Sequence, residues 1–222
     1  MTEKLFWKDP YMRECEARVT SKMGPEIQLD QACFFAFSGG QESDRGTIGG
    51  INVQEAVKTD DNITYMLEKE PEFNEGDTVK VEIDWEHRHK LMRLHSAAHI
   101  VTFLVFEKWG MGFDDIVGSN ISIDKARLDF ATDNNPNEII PGIEETANRV
   151  IGDGHEIKTY DDPENPGKRL WEMHFNDNDS EKKILFPCGG THVKNSSEIG
   201  RIKLKRKNIG AGKERIEVSL LE

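Results

Sequence analysis

Two short motifs with the same internal spacing constrain this chain more than any other feature. His95 and His99 stand four positions apart in the segment 93–99, whose sequence is RLHSAAH. Cys188 and His192 stand four positions apart in the sequence CGGTH, which begins 89 positions after His99. Positions i and i+4 of a helix lie on one face, so the first pair can hold one metal ion. Since thiolate sulfur and imidazole nitrogen are donors that zinc prefers, the two motifs together predict one zinc ion per chain.

Either motif alone would be weak evidence for a metal site. Histidines four apart occur in helices by chance, and a lone cysteine is more often a core residue than a ligand. The shared spacing strengthens the interpretation, and Gly189 and Gly190 leave the backbone free to direct Cys188 and His192 inward. The segment HSAAH lacks the glutamate of the HExxH metalloproteases, so we reject that class. These residues leave open whether the zinc is structural or catalytic.

Composition favours a soluble protein of a reducing compartment. Apolar residues make up 36% and charged residues 32% of the 222 positions, and no run of about 18 apolar residues is present. The first residues lack the apolar region of a secretory signal, so we expect a cytoplasmic protein without membrane association. Three widely spaced cysteines do not form a disulfide framework, and Cys15 and Cys33 are predicted to be buried structural residues.

Short strand patterns dominate the first part of the chain. Val, Ile, Thr and aromatic residues alternate with polar ones between glycine-containing turns, which is typical of strands. The predicted strands cover residues 15–21, 32–37, 47–57, 62–69 and 78–85. Five or more strands at this spacing predict a small antiparallel β-barrel within residues 1–88. Residues 85–90 are interpreted as a polar junction.

The pattern changes to helix from Leu91, and residues 89–222 are predicted to form a second domain. Apolar residues at 3–4 spacing predict a helix that ends near Trp109 and another over residues 138–151. Strands are predicted over residues 117–123, 126–130, 155–160, 170–175, 199–205 and 215–221, with a polar loop over 176–183. Runs of antiparallel strands with two long helices predict the α+β class.

At this point the motifs resemble a known family. HSAAH and CGGTH, with the lead-in at residues 76–86 and the tail at 210–217, are similar to the editing domain of alanyl-tRNA synthetase. Residues 37–46, with Gly39, Gly40 and Gln41, are similar to the glycine-rich motif of the domain that precedes it. The chain has no room for an aminoacylation domain. Over nearly its whole length it resembles the free-standing AlaX-type editing proteins, in the longer form with an N-terminal barrel.

This resemblance implies a zinc-dependent aminoacyl-tRNA deacylase. It would hydrolyse the ester between a wrong amino acid, chiefly serine and also glycine, and the alanine tRNA. The partner is then mischarged tRNA(Ala), without ATP or another nucleotide cofactor, and the oligomeric state stays open. The catalytic residues are implied to be the metal ligands His95, His99, Cys188 and His192.

Serine can be distinguished from alanine by its hydroxyl group. A site built to hydrogen-bond a hydroxyl rejects an analogue that lacks it by about 10⁴–10⁵-fold. Candidate partners, besides zinc, are Ser119, Asn120 and Thr191. Each can instead be a polar residue of a turn or strand, and for Ser119 the sequence favours that alternative. Gly39, Gly40 and Gln41 are expected to shape the substrate pocket, and the alternative is a glycine-rich hairpin turn.

The net charge of −12 is unevenly distributed. Residues 201–215 hold seven Lys or Arg against Glu214, a local balance of +6, so the rest of the chain carries −18. Along an extended strand Lys203, Lys205 and Lys207 share one face, and a glycine turn leaves Lys213 accessible. These lysines are predicted to contact tRNA phosphates, and the alternative is an edge strand protected by lysines against aggregation.

Two other functions fit parts of the pattern. A non-catalytic RNA-binding module with a structural zinc would keep the metal ligands and the basic segment. A zinc hydrolase of small esters or amides would not need the basic segment. Deacylation of seryl-, glycyl- and alanyl-tRNA, with and without a chelator, separates these classes.

Overall fold

The computed structural model describes residues 1–59, 62–177, 180–210 and 212–221. They form two compact units, Met1–Lys90 and Leu91–Glu222. Strands far outnumber helices in both, the composition of an α+β protein. Within the described ranges, no helix has the length and apolar character needed to cross a bilayer.

The first unit is built almost entirely of strands. Its elements are β1 (Glu3–Lys4), α1 (Leu5–Lys8), β2 (Glu14–Met23), β3 (Glu26–Leu29), β4 (Gln31–Ala32), β5 (Gly46–Ile48), β6 (Ile51–Thr59), β7 (Asn62–Leu67) and β8 (Thr78–Ile83). Hydrogen-bonded neighbours follow the order β2-β3-β7-β6-β5-β8, and β8 pairs again with β2. Val79, Val81 and Ile83 are buried between exposed or half-buried neighbours, so the alternation predicted for this strand is confirmed.

Glycine is required where β5 begins. A Cβ atom on Gly46 would clash with the carbonyl oxygen of Glu82, because β8 pairs directly with β5 at this point. The predicted strand over residues 47–57 is in fact two strands, β5 and β6. Gly49 and Gly50 form the turn between them, and both have positive φ angles, which explains why one continuous strand is not possible.

The prediction of a strand over residues 32–37 is wrong beyond Ala32. Residues 33–36 are buried but pair with no strand, and Phe37 is exposed. Their polar backbone groups find other partners: the Phe35 amide donates to Asp44 Oδ2 (2.6 Å), and the Asp44 amide donates to the Phe35 carbonyl (3.0 Å). These residues can be buried outside a β-sheet because the Asp44 side chain supplies a hydrogen bond that a neighbouring strand would otherwise give.

The predicted polar junction at residues 85–90 is also wrong, since these residues begin helix α2 (Trp85–Trp109). Arg88 is fully buried within the first unit. Its guanidinium forms an ion pair with the buried Asp44 and donates to the carbonyl oxygens of Cys33 (2.7 Å) and Pro10 (2.8 Å). The burial of Arg88 is tolerated because Asp44 neutralises its charge and its N–H groups have hydrogen-bond acceptors.

The second unit continues from α2 and combines two sheets with one more long helix. The further elements are β9 (Ile116–Ile121), β10 (Ala126–Ala131), α3 (Ile140–Asp153), β11 (Ile157–Asp161), β12 (Arg169–Asp177), β13 (Ser180–Pro187), β14 (Ile202–Asn208) and β15 (Lys213–Leu220). One sheet has the order β14-β15-β10-β9 and the other β11-β12-β13. Short 3-10 turns cover Phe113–Asp115, Pro136–Glu138 and Ser196–Ile199.

The predicted polar loop over residues 176–183 is instead part of a hairpin. Strands β12 and β13 pair from Leu170↔Pro187 to Asp177↔Ser180, and Asn178 and Asp179 of the prediction lie outside the described residues. The segment looks like a loop because all eight of its residues are polar, and the buried Ile184 and Phe186 of β13 lie beyond it. Its residues form strands because they make hydrogen bonds to the paired strand, and this pairing cannot be predicted from their own composition.

Candidate metal centre

Helix α2 directs the first histidine pair inward. Leu91, Leu94 and Val101 on this helix are completely buried, and His95 is 6% exposed. His99, one turn further along, is half-buried. The 3.6-residue period therefore places both imidazoles on or beside the buried face, as their spacing predicts.

The second pair follows directly after β13. The Cys188 amide donates to the Arg169 carbonyl at 2.8 Å, which extends the hairpin by one hydrogen bond. Beyond His192, the Val193 amide donates to Oγ of the buried Ser96 at 3.2 Å. Ser96 lies inside the HSAAH motif, so this bond ties the two motifs together. Sequence reasoning missed this role, because a serine in a helix carries no signal for a partner 97 positions away.

The four predicted ligands converge on one point. One ligand atom from each of His95, His99, Cys188 and His192 lies within 4.8 Å of the others. The Nε2 atoms of His99 and His192 are 3.2 Å apart. Cys188 Sγ is 3.4 Å from Nε2 of His95 and 3.5 Å from Nε2 of His192.

The three shortest of these separations fit tetrahedral coordination of one ion. Zinc bonds of about 2.0–2.1 Å to nitrogen and about 2.3 Å to sulfur put two nitrogens about 3.3 Å apart, and nitrogen and sulfur about 3.6 Å apart. The three measured distances are close to these values. The cluster can therefore hold a metal ion, and its donor set suits zinc.

Burial sets the protonation states of the four donors. It lowers the pKa of His95 to about 4. It also lowers the pKa values of His99 and His192 well below their ordinary value, and the neighbouring histidines lower these two further. Burial also raises the pKa of the Cys188 thiol to about 11. Three imidazoles are thus neutral and ready to bind a cation at neutral pH, whereas the thiol must lose a proton.

Two aromatic side chains that the sequence did not single out pack against the ligands. The centroid of the Trp171 ring lies 5.0 Å from that of the His99 ring and 6.2 Å from that of the His192 ring. The centroid of the Phe186 ring lies 5.2 Å from that of His99. Trp171 is completely buried. Trp171 Nε1 and His192 Nδ1 have no hydrogen-bond partner among the described residues. The ligands therefore have a largely apolar wall on this side.

The predicted substrate-binding residues lie in three places. Thr191 is buried between the two ligands of the CGGTH motif, whereas Ser119 is exposed and Asn120 is half-buried on β9. In the first unit, Gly39 and Gly40 have positive φ angles, which glycine adopts without strain, and Gln41 is completely buried. Gln41 pairs with Ser38, so the segment is a tight hairpin turn. The role of these residues in substrate binding stays a prediction.

The predicted tRNA-binding lysines lie on and beside an edge strand. Lys203, Lys205 and Lys207 are exposed on β14, and Ile202 and Leu204 between them are buried. Lys213, the first residue of β15, is exposed as well. Lys203 forms an ion pair with Glu144 (2.8 Å). The glycine turn predicted at 210–213 includes Ala211, which lies outside the described residues.

Known proteins resemble this chain over its whole length. The family described as threonyl and alanyl tRNA synthetase second additional domain matches residues 186–217. The alanyl-tRNA editing protein AlaX-M of Pyrococcus horikoshii is 39% identical over 99% of this chain and 98% of its own length. The protein of the same name from Methanosarcina mazei is 31% identical over 100% and 98%, respectively.

A longer protein matches as well. The alanine–tRNA ligase of Methanococcus maripaludis is 33% identical over 98% of this chain, which covers 26% of that enzyme. The resemblance carried by the HSAAH, CGGTH and glycine-rich motifs is thus confirmed by relatives of the same length. The chain belongs to the AlaX-M family of alanyl-tRNA editing proteins.

Proposed function

We propose that this protein is a zinc-dependent hydrolase that removes wrongly attached serine, and also glycine, from the alanine tRNA. The observation that carries this proposal is the convergence of His95, His99, Cys188 and His192 in a chain whose full-length relatives are named alanyl-tRNA editing proteins. Ester hydrolysis needs an activated water and stabilisation of negative charge on the carbonyl oxygen. A zinc ion supplies both, as a Lewis acid that also makes water easier to deprotonate.

The residues of the site prepare it for a cation. Burial keeps the imidazoles neutral, so they bind a cation without first losing protons. His99 and Cys188 are half-buried whereas His95 and His192 are buried, so the cluster is accessible on the side of His99 and Cys188. Trp171 and Phe186 pack against the His99 ring and exclude water from that face of it, which strengthens electrostatic interactions in the site.

Selection of serine follows from its hydroxyl group. We propose that Thr191, Ser119 and Asn120 are the candidates to hydrogen-bond it, together with the ion. Thr191 has the strongest support, since it is buried three residues after Cys188 and one before His192. Alanine would leave such a partner unmatched, which disfavours its hydrolysis. Gly39, Gly40 and Gln41 are proposed to shape the pocket, as the family resemblance implies.

The first unit is proposed to be the predicted antiparallel barrel, over residues 1–88, and residues 89–222 the editing domain. The closed order of strand pairing supports the barrel. Lys203, Lys205, Lys207 and Lys213 are proposed to contact the phosphates of tRNA(Ala). An exposed row of lysines in an otherwise acidic chain supports this assignment, because phosphate contacts dominate binding to nucleic acids.

One observation favours a second candidate, an RNA-binding module with a structural zinc. Four protein donors complete a tetrahedron, and closed sites of this kind are usually structural. Catalysis then requires a fifth position or the release of one histidine. A hydrolysis assay decides between the two.

Deacylation of seryl-, glycyl- and alanyl-tRNA(Ala) tests the proposal. We expect release of serine and glycine but not alanine, and loss of activity on chelation with recovery after zinc addition. His99→Ala should lose both zinc and hydrolysis. Zinc-loaded protein that binds tRNA and hydrolyses none of the three esters would establish the structural alternative. Hydrolysis of a small seryl ester as fast as seryl-tRNA would instead indicate a general esterase.

A further inference from the structure

The two cysteines of the first unit lie side by side, although they are 18 positions apart in sequence. Cys15 is in β2, and Cys33 follows β4. The Cys33 amide donates to Cys15 Sγ at 3.3 Å, which places the two residues next to each other. The metal-ligand cluster involves neither of them.

The two sulfurs differ in exposure and in ionisation. Cys15 is half-buried, whereas Cys33 is completely buried with Sγ 3.9 Å from the Val81 carbonyl oxygen. The neighbouring Cys33 side chain and amide lower the pKa of Cys15, and the Cys15 side chain together with burial raises the pKa of Cys33. Cys15 is therefore the nucleophilic and reachable sulfur, and Cys33 is positioned behind it.

We propose that Cys15 and Cys33 form a peroxide-reactive pair that closes to an intramolecular disulfide within the first unit. Such reactivity requires an accessible nucleophilic sulfur next to a second thiol, and this pair has that arrangement. Because the Cys33 backbone already lies against Cys15 Sγ, we expect closure to require rotation of the two side chains and no movement of a strand.

The chemistry balances with hydrogen peroxide as the oxidant. The Cys15 thiolate attacks one peroxide oxygen, an S–O bond forms, the O–O bond breaks, and the departing hydroxide takes up a proton to become water. Cys15 is thereby oxidised to a sulfenic acid. Cys33 sulfur then attacks Cys15 sulfur, the S–S bond forms, the S–O bond breaks, and the proton of Cys33 leaves with the hydroxide as a second water. Two thiols and one peroxide give one disulfide and two waters.

A consequence for the fold follows from the neighbours of Cys33. Its carbonyl oxygen accepts from Arg88, whose guanidinium also holds Asp44, and Asp44 in turn binds the Phe35 backbone. A disulfide would fix β2 to this buried network. The oxidised first unit should therefore resist unfolding more than the reduced one, because the bond restricts the unfolded chain.

Mass spectrometry of the full-length, zinc-loaded protein tests the pair. After treatment with one equivalent of hydrogen peroxide, free thiols are alkylated with iodoacetamide and the chain is digested with trypsin without reduction. Cleavage after Arg13, Arg18, Lys22 and Arg45 places Cys15 in residues 14–18 and Cys33 in residues 23–45. We expect these peptides joined, two hydrogens lighter than their sum. Cys188, in residues 184–194, reports oxidation of the metal site in the same digest.

Two variants assign the order of events. In Cys33→Ser the sulfenic acid at Cys15 should persist and be trapped by dimedone, since no second thiol resolves it. In Cys15→Ser the buried Cys33 should stay a free thiol, and iodoacetamide should alkylate it only after the chain is unfolded. The wild-type chain should gain about 5 °C or more in its unfolding midpoint on oxidation, and both variants should gain none.

The proposal is overturned if both cysteines of the peroxide-treated wild type are recovered alkylated. It is also overturned if Cys15 is recovered only in disulfides between two chains, or if dimedone labels the wild type as fully as Cys33→Ser. Reduction of the oxidised chain with dithiothreitol should restore both alkylated peptides. A mass gain of oxygens that dithiothreitol does not reverse would show overoxidation in place of pairing.

Discussion

At the level of single residues, the candidate metal centre is built from groups whose protonation is set by burial. Histidines with ordinary pKa values would be largely charged below pH 6.5, and their mutual repulsion would oppose a cation. Here the pKa of His95 lies at about 4, and those of His99 and His192 are also strongly lowered. Cys188 alone has to release a proton on binding, because its pKa is about 11.

This arrangement predicts the number of protons released on zinc binding. At pH 6 we expect about one proton per zinc, from Cys188, since metal binding displaces protons only from ligands that carry them. Three histidines with ordinary pKa values would add about two more at this pH. Isothermal titration calorimetry in buffers with different heats of ionisation measures the number. Release of about three protons per zinc would mean that the histidines are protonated at pH 6, which would contradict their lowered pKa values.

A second residue-level prediction concerns Ser96. In Ser96→Ala the buried Val193 amide loses its acceptor, which should lower the free energy of unfolding by about 1–3 kcal/mol. Because Val193 adjoins His192, zinc affinity should fall by about tenfold, the lower end of the range for replacing a residue that holds a metal ligand in place. Urea unfolding and competition with a chromophoric chelator measure the two effects.

Ser119→Ala is the matched control for this substitution. Ser119 is exposed on β9, so its replacement should leave the free energy of unfolding and zinc affinity nearly unchanged. Equal behaviour of the two variants would show that the Ser96–Val193 bond does not position the ligands.

At the level of elements, β14 combines two tasks. It is an edge strand of its sheet, and its exposed lysines both discourage pairing with another chain and present positive charge. Lys203 is partly neutralised by Glu144. Lys205 and Lys207 have no ion pair among the described residues, so they are the stronger candidates for phosphate contacts.

Replacing Lys205 and Lys207 with alanine should weaken tRNA binding and flatten its dependence on salt. Two lost phosphate contacts reduce the slope of log K against log salt concentration by about 1.5–2. Lys203→Ala should reduce it by less than Lys205→Ala, because Glu144 already screens Lys203. Filter binding at several salt concentrations gives these slopes.

The control exchanges two exposed lysines of the first unit, Lys58 and Lys69, for alanine. Zinc content should stay the same in all variants. If the slope changes equally in the control and in the β14 variant, tRNA binding depends on overall charge. If the slope changes in neither variant, the lysines of β14 protect the edge of the sheet against pairing with another chain and bind no phosphate.

At the level of the whole molecule, the two units have cores of their own. One cluster of buried apolar side chains, from Phe6 to Ile83, lies entirely within the first unit. The second unit places four polar ligands and the unpartnered Nδ1 of His192 among buried residues. Removing a metal from such a site withdraws the interaction that compensates their burial.

We therefore expect chelation to loosen the second unit selectively. Hydrogen exchange followed by mass spectrometry should show faster exchange at residues 93–103 and 188–199 after zinc removal. Residues 14–32 and 46–59 should keep their protection. Uniformly faster exchange along the chain would contradict independent cores, and no change anywhere would mean that the metal adds no stability.

The sequence determined the features that depend on short-range periodicity and on the chemistry of side chains. Four-residue spacing put His95 and His99 on one face of α2, and two-residue alternation predicted the buried face of β8 and the exposed lysines of β14. The two spaced motifs were enough to predict which four residues converge, because a sulfur and three imidazoles have few other reasons to share that pattern.

Only the tertiary structure decided the contacts between distant segments. The buried pair of Arg88 and Asp44, the bond from Val193 to Ser96, the aromatic wall of Trp171 and the contact of Cys15 with Cys33 each join residues at least 18 positions apart. For the same reason, residues 33–36 look like a strand in the sequence, and residues 180–183 of β13 look like part of a loop. Hydrogen bonds and burial are supplied by neighbours in space, and local composition does not record which neighbours those are.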